Sequence, residues 1–133
     1  MTNTSDLHTW LARLHDSRLV ALSADYEREV LELRFRLYSG TSTETPVEDE
    51  AHPTCRMVVS GLRFCVVEPP DDGCLLEGFG SPFIDSAGVG VPPTSRWPVA
   101  EAQPVAVRVW LYVSTWNAFI QIAGDHVEFQ ESH

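Results

Sequence analysis

Residues 105–123 read VAVRVWLYVSTWNAFIQIA, and the reading of this run decides the fold. Val105, Val107, Val109, Leu111 and Val113 alternate with Ala106, Arg108, Trp110, Tyr112 and Ser114, the period of a strand with one buried face. Folding the chain back at Thr115-Trp116 sets Val113 opposite Ala118, Leu111 opposite Ile120 and Val109 opposite Ile122. One register therefore joins both apolar rows, which is how a hairpin register is specified. The same register puts Tyr112 opposite Phe119, Trp110 opposite Gln121 and Arg108 opposite Ala123 on the other face. Beyond the hairpin, Gly124-Asp125 breaks the parity: Ala118, Ile120 and Ile122 are even, Val127 and Phe129 odd. A bulge or tight turn there restores a common face.

Working back toward the N-terminus, the pattern predicts strands near 54–68, 29–38 and 18–24, with 105–114, 117–123 and 126–130 completing the set. Leu31, Leu33, Phe35 and Leu37 oppose Glu32, Arg34 and Arg36, so strand 29–38 has one wet face and pairs with 18–24 as a hairpin. Strand 54–68 is apolar on both parities and reads as central and covered on both faces, with Gly61 marking a bulge or a close backbone approach. A helix is expected over 5–15, because Leu7, Trp10, Leu11 and Leu14 form one stripe at i, i+3, i+4 and i+7. Residues 69–104, rich in Pro and Gly, read as a long excursion between strands, with 74–79 as a short strand and 82–86 as a helical turn. The expectation is a single α+β domain over 1–133: an antiparallel sheet of five or six strands with one N-terminal helix packed on it.

Composition bounds the function. The chain of 133 residues is 44% hydrophobic and 21% charged, as in globular proteins. Nothing approaches the ~20 apolar residues of a membrane span, and residues 1–16 lack the basic and apolar regions of a secretory leader. Cys55, Cys65 and Cys74 match no zinc spacing and read as reduced thiols, so a cytoplasmic setting is expected. The net charge is −10 and all nine basic residues are arginine. Such a surface repels phosphates and anionic lipid, which argues against nucleic acid and membrane as partners and favours a basic protein.

The motifs of catalysis do not complete. Gly78-Phe79-Gly80-Ser81 has neither the order of a nucleophile elbow nor the third glycine of a dinucleotide loop. His15-Asp16 fits a helix end beside a turn better than an acid–base pair. No metal ligand set, catalytic residue or cofactor site is expected. Candidate partner-binding residues are instead the aromatic hairpin face (Arg108, Trp110, Tyr112, Phe119), Trp116 at the hairpin tip, and the loop acids Glu48, Asp49, Asp71 and Asp72. Trp, Tyr and Arg dominate binding hot spots, and clustered acids complement a cationic partner.

The run Leu14-His15-Asp16-Ser17-Arg18-Leu19-Val20, followed by the 29–38 strand, resembles small bacterial proteins similar to the immunity proteins of polymorphic toxin systems. In these, a Leu-His-Asp opening leads into a β-rich domain. The resemblance implies a non-enzymatic cytoplasmic binding protein and carries over no catalytic residue. Two alternatives stand beside it: a small-molecule binder or enzyme with a pocket under the 69–104 excursion, and a subunit that self-associates through its aromatic hairpin face.

Overall fold

The computed structural model describes residues 4–37, 53–71, 82–94 and 105–132. Among these, one helix, α1 (Thr4–Arg13), precedes eight strands: β1 (Ser17–Asp25), β2 (Val30–Arg36), β3 (Thr54–Ser60), β4 (Phe64–Val67), β5 (Phe83–Val89), β6 (Val107–Val113), β7 (Ala118–Gly124) and β8 (His126–Ser132). All pairings are antiparallel, in the order β4-β7-β6-β5-β1-β2-β3-β8. The chain is thus α+β, but with eight strands among the described residues instead of the five or six expected.

Two events account for the difference in number. The expected strand 54–68 breaks at Gly61 into β3 and β4, and residues 83–89 form a strand where a helical turn was expected. The break is a corner. Residues 54–60 pair with 126–132, and residues 64–67 pair with 120–123, so one two-stranded ribbon runs through the bend. Arg63 N–H donates to Ala123 O (2.7 Å) and Asp125 N–H to Ser60 O (3.0 Å), which keeps the ribbon bonded across it. The two ends of the strand order, β4 and β8, are therefore continuations of β3 and β7, and the sheet closes into a ring. Closure removes most free strand edges.

Glycine is required at this corner. Gly61 has φ +63°, and a Cβ there would lie 2.2 Å from Asp125 Oδ2; a Cβ on Gly124 would lie 2.5 Å from Val59 Cγ1. Left-handed backbone and close approach are both glycine's province. Arg63 closes the outside of the bend with a fork onto the Asp125 carboxylate at 3.2–3.5 Å.

Inside the ring, Leu31, Leu33 and Phe35 of β2, Cys55, Met57 and Val59 of β3, and Val109, Leu111 and Val113 of β6 form one core with Ile120 and Ile122 of β7. The hairpin register is the one read from the sequence, pair for pair from Arg108↔Ala123 to Val113↔Ala118. Burial on both faces, expected for 54–68, belongs to β7 instead: all of Ala118 to Gly124 is buried, whereas Thr54 and Arg56 are exposed. Leu7, Leu11 and Leu14 are buried in the same core, α1 contacts β5, and Trp10 stacks on Phe129 of β8 with centroids 5.2 Å apart. Arg13 lies over the Trp10 ring and pairs with Glu131.

Candidate functional site

The outward face of β5, β6, β7 and β4 gathers the chemistry. Because Val109, Leu111 and Val113 point into the core, Arg108, Trp110 and Tyr112 point away from it, and all three are half-buried. Beside them on β7 stand Phe119 and Gln121, both buried, and on β4 Phe64 and Val66 continue the row opposite Ala123 and Gln121. Trp110 meets Phe119 edge-on at 5.7 Å, and Tyr112 lies tilted on Phe119 at 5.0 Å. Such ring pairs add to the gain from area burial alone. Gly88 of β5 makes room for them: a Cβ there would lie 2.5 Å from Trp110 Cζ2. The Arg108 guanidinium sits 5.4 Å above the Phe64 ring, within cation–π range.

Two carboxylates border this face, both supplied by the chain leaving β4. Glu68 is only 1% exposed. Its carboxyl group accepts the Phe119 N–H at 2.8 Å and faces Gln121 Nε2 at 3.4 Å, so amide donors hold it in place. Asp71 is anchored through its own N–H to Trp116 O at 3.1 Å. Its carboxylate accepts Asn117 Nδ2–H at 2.7 Å, while Asn117 Oδ1 accepts the Tyr112 hydroxyl at 2.6 Å. Asn117 has φ +49° in the turn after Thr115-Trp116, a conformation Asn tolerates better than most side chains. The relay Tyr112–Asn117–Asp71 thus fixes one carboxylate at the rim of an aromatic face.

Of the residues singled out from sequence, Arg108, Trp110, Tyr112, Phe119 and Asp71 come together here. Trp116 does not project from the hairpin tip. It is half-buried against the core, and its Nε1 is buried without a hydrogen-bond partner among the described residues. Glu48, Asp49 and Asp72, and the short strand expected at 74–79, lie outside the described residues. Glu68, Gln121 and Asn117 were not singled out as site residues. Gln121 carried a signal, being one polar residue inside an otherwise apolar strand. Glu68 carried only its place at the end of an apolar run, before Pro69-Pro70.

Burial pushes the Cys55 thiol up to about 11, with Arg13 partly opposing and Glu131 adding. Burial alone raises Cys65 to about 11, so both are poor nucleophiles near neutrality. His15 Nδ1 lies 3.1 Å from Asp16 Oδ2 with both side chains more than half exposed. Among the described residues, no group of three His, Cys, Asp or Glu side chains could hold a metal ion, and no helix is long and apolar enough to cross a membrane. No protein-family model, curated protein or solved structure matches the chain.

Proposed function

We propose that this chain is a non-enzymatic cytoplasmic binding protein, immunity-like in kind, that engages a basic protein partner. The observation that carries the proposal is the Asp71 carboxylate, oriented by Asn117, whose amide oxygen in turn holds the hydroxyl of Tyr112 at the end of the aromatic row. A fixed carboxylate next to aromatic rings is a receptor for a Lys or Arg side chain, through a charge-assisted hydrogen bond and ring contact together. Long-range electrostatics support the same partner. Acids outnumber basic residues 19 to 9, and Arg13, Arg28, Arg56 and Arg63 are each paired with an acid of the same chain, so the net charge of −10 is left to unpaired acids. An acidic surface of this kind speeds encounter with a cationic partner and makes association sensitive to salt.

The test is affinity capture from host lysate with a salt gradient, followed by reconstitution with the purified partner. The expected result is one stoichiometric basic protein released by salt, whose affinity falls about tenfold, or ~1.4 kcal/mol, with Asp71→Asn. Binding indifferent to both salt and Asp71→Asn would overturn the reading.

One observation favours a second reading, a small-molecule site. Glu68 and Gln121 put a buried carboxylate and a buried amide side by side under the aromatic face. A metabolite retained in native mass spectra and lost with Glu68→Gln would shift the assignment to that class.

A further inference from the structure

We infer that the outer edge of β1, from Val20 to Asp25, is a docking surface whose occupant is an extended, cationic segment of a partner polypeptide, added to the sheet as a further strand.

The seam between β1 and β5 is where the ring is thinnest. β1 pairs with β2 along its length but with β5 only at Ser17↔Ile84 and Arg18↔Phe83, extended by Leu19 N–H donating to Pro82 O. The two strands then part. β5 runs on past Asp16, whose N–H donates to Ile84 O, toward α1. Among the described residues nothing pairs with the outer edge of β1 from Val20 onward.

Exposure agrees with this. Val20 is 50% exposed. Leu22 stands opposite the fully buried Leu33, and so on the core-facing row, yet it is 36% exposed, with no strand on its outer side among the described residues. Phe83, at the end of the seam, is 44% exposed. Open edges are normally blunted by Lys, Pro, inward charges or a bulge. Here the ladder slips between Leu19 and Ala21, but Val20-Ala21-Leu22-Ser23-Ala24 carries no charge and no proline. The backbone after the slip keeps regular register with β2 as far as Asp25↔Val30, so it can template another strand.

Charge selects the occupant. The edge ends in a turn whose exposed acids Asp25, Glu27 and Glu29 outnumber Arg28, which itself lies 3.8 Å from Asp25. On the neighbouring strand, Glu32 opposite Ser23 is taken by Arg56, while Arg34 opposite Ala21 is exposed. The complementary segment therefore carries its cations toward the turn end and alternates them with apolar side chains that lie beside Leu22 and Ala24. A second copy of the chain fits poorly, since it brings another net charge of −10 and the same acidic turn. The sign of the occupant rests on the acidic-binder reading above; its extended conformation rests on the edge alone.

The experiment uses the full chain and a blocked decapeptide of alternating lysine and valine, with the glutamate–valine peptide and an alternately N-methylated lysine–valine peptide as controls. Amide resonances and hydrogen exchange are followed residue by residue. The expected result is slowed exchange confined to β1 between Val20 and Asp25, with binding at least about tenfold weaker for both controls and for Ser23→Lys, at unchanged melting temperature. Equal binding of the N-methylated peptide would overturn strand addition. Equal binding of the glutamate peptide would overturn the charge assignment. Protection appearing only around Asp71 and Tyr112, or no binding of the lysine peptide while a captured basic protein still binds, would overturn the edge site and leave the proposed function standing. Failure of the capture experiment alone would do the reverse.

Discussion

β7 and β1 are both strands of this ring, and they differ in almost every physical respect. β7 has β6 on one side and β4 on the other, and each of its seven residues is buried. Among the described residues β1 has one full-length neighbour, and its residues from Val20 to Ser23 are exposed. Their sequences differ less: AFIQIAG against SRLVALSAD. Burial in a ring is thus set by how many neighbours a strand has and what lies over its faces, more than by its own hydropathy. The sealed side holds the stability and the aromatic face with Glu68.

The largest expected effect contrasts the two strands directly. Ile120→Ala on β7 removes a core side chain from a site hemmed in by Leu111 and Val67 opposite, and costs about 2–5 kcal/mol in chemical denaturation. Leu22→Ala on β1 costs below about 1 kcal/mol, since solvent already reaches that side chain. Similar costs for both would break the contrast. Next comes the corner that lets β7 run on into β8. Gly124→Ala sets a methyl against Val59 and Ser60 O, and is expected to cost about 1–3 kcal/mol by overpacking.

Thiol chemistry sharpens the contrast further. Cys65 lies opposite Ile122 and Cys55 opposite Phe35, and both titrate at about 11 instead of 9.0 because of burial. A cysteine introduced as Ala21→Cys on the open edge should alkylate about a hundredfold faster near neutrality, the ratio a two-unit difference gives. The sign of the linked stability follows from protons bound. The folded chain keeps two protons that the unfolded chain releases above 9.0, so this contribution is complete below pH 9 and is lost as pH rises toward about 11. An alkaline unfolding series on the native chain against Cys65→Ala would register it. The smallest effect is at the corner's ion pair: Arg63→Ala is expected to cost at most about 1 kcal/mol, less in high salt, because both partners are exposed.

The same contrast explains what could be read from sequence. The β6–β7 register was legible because both strands alternate and only one pairing unites their apolar rows. The corner was half legible: Gly61 and Gly124-Asp125 were flagged as irregularities, but that the two lie together in one bent ribbon is a tertiary fact. β5 was not legible. Its run Phe-Ile-Asp-Ser-Ala-Gly-Val has weak strand propensity, and it is a strand because β6 pairs with it from Ile84 to Val89. Of the site, the aromatic row followed from the hairpin parity, and Asp71 from its acidic surroundings. The relay through Asn117 did not follow, because it joins residues 46 apart in sequence through a turn conformation. The placement of Trp116 was not legible for a related reason: a hairpin tip is exposed only if the hairpin projects, and this one folds its indole back against the core.

Native-state hydrogen exchange of the free chain tests the central claim most directly. A ring sealed at β7 and open at β1 predicts that amides of Ala118 to Gly124 exchange only with global unfolding, while the outward amides between Val20 and Asp25 exchange orders of magnitude faster. Equal protection of the two strands would contradict the account.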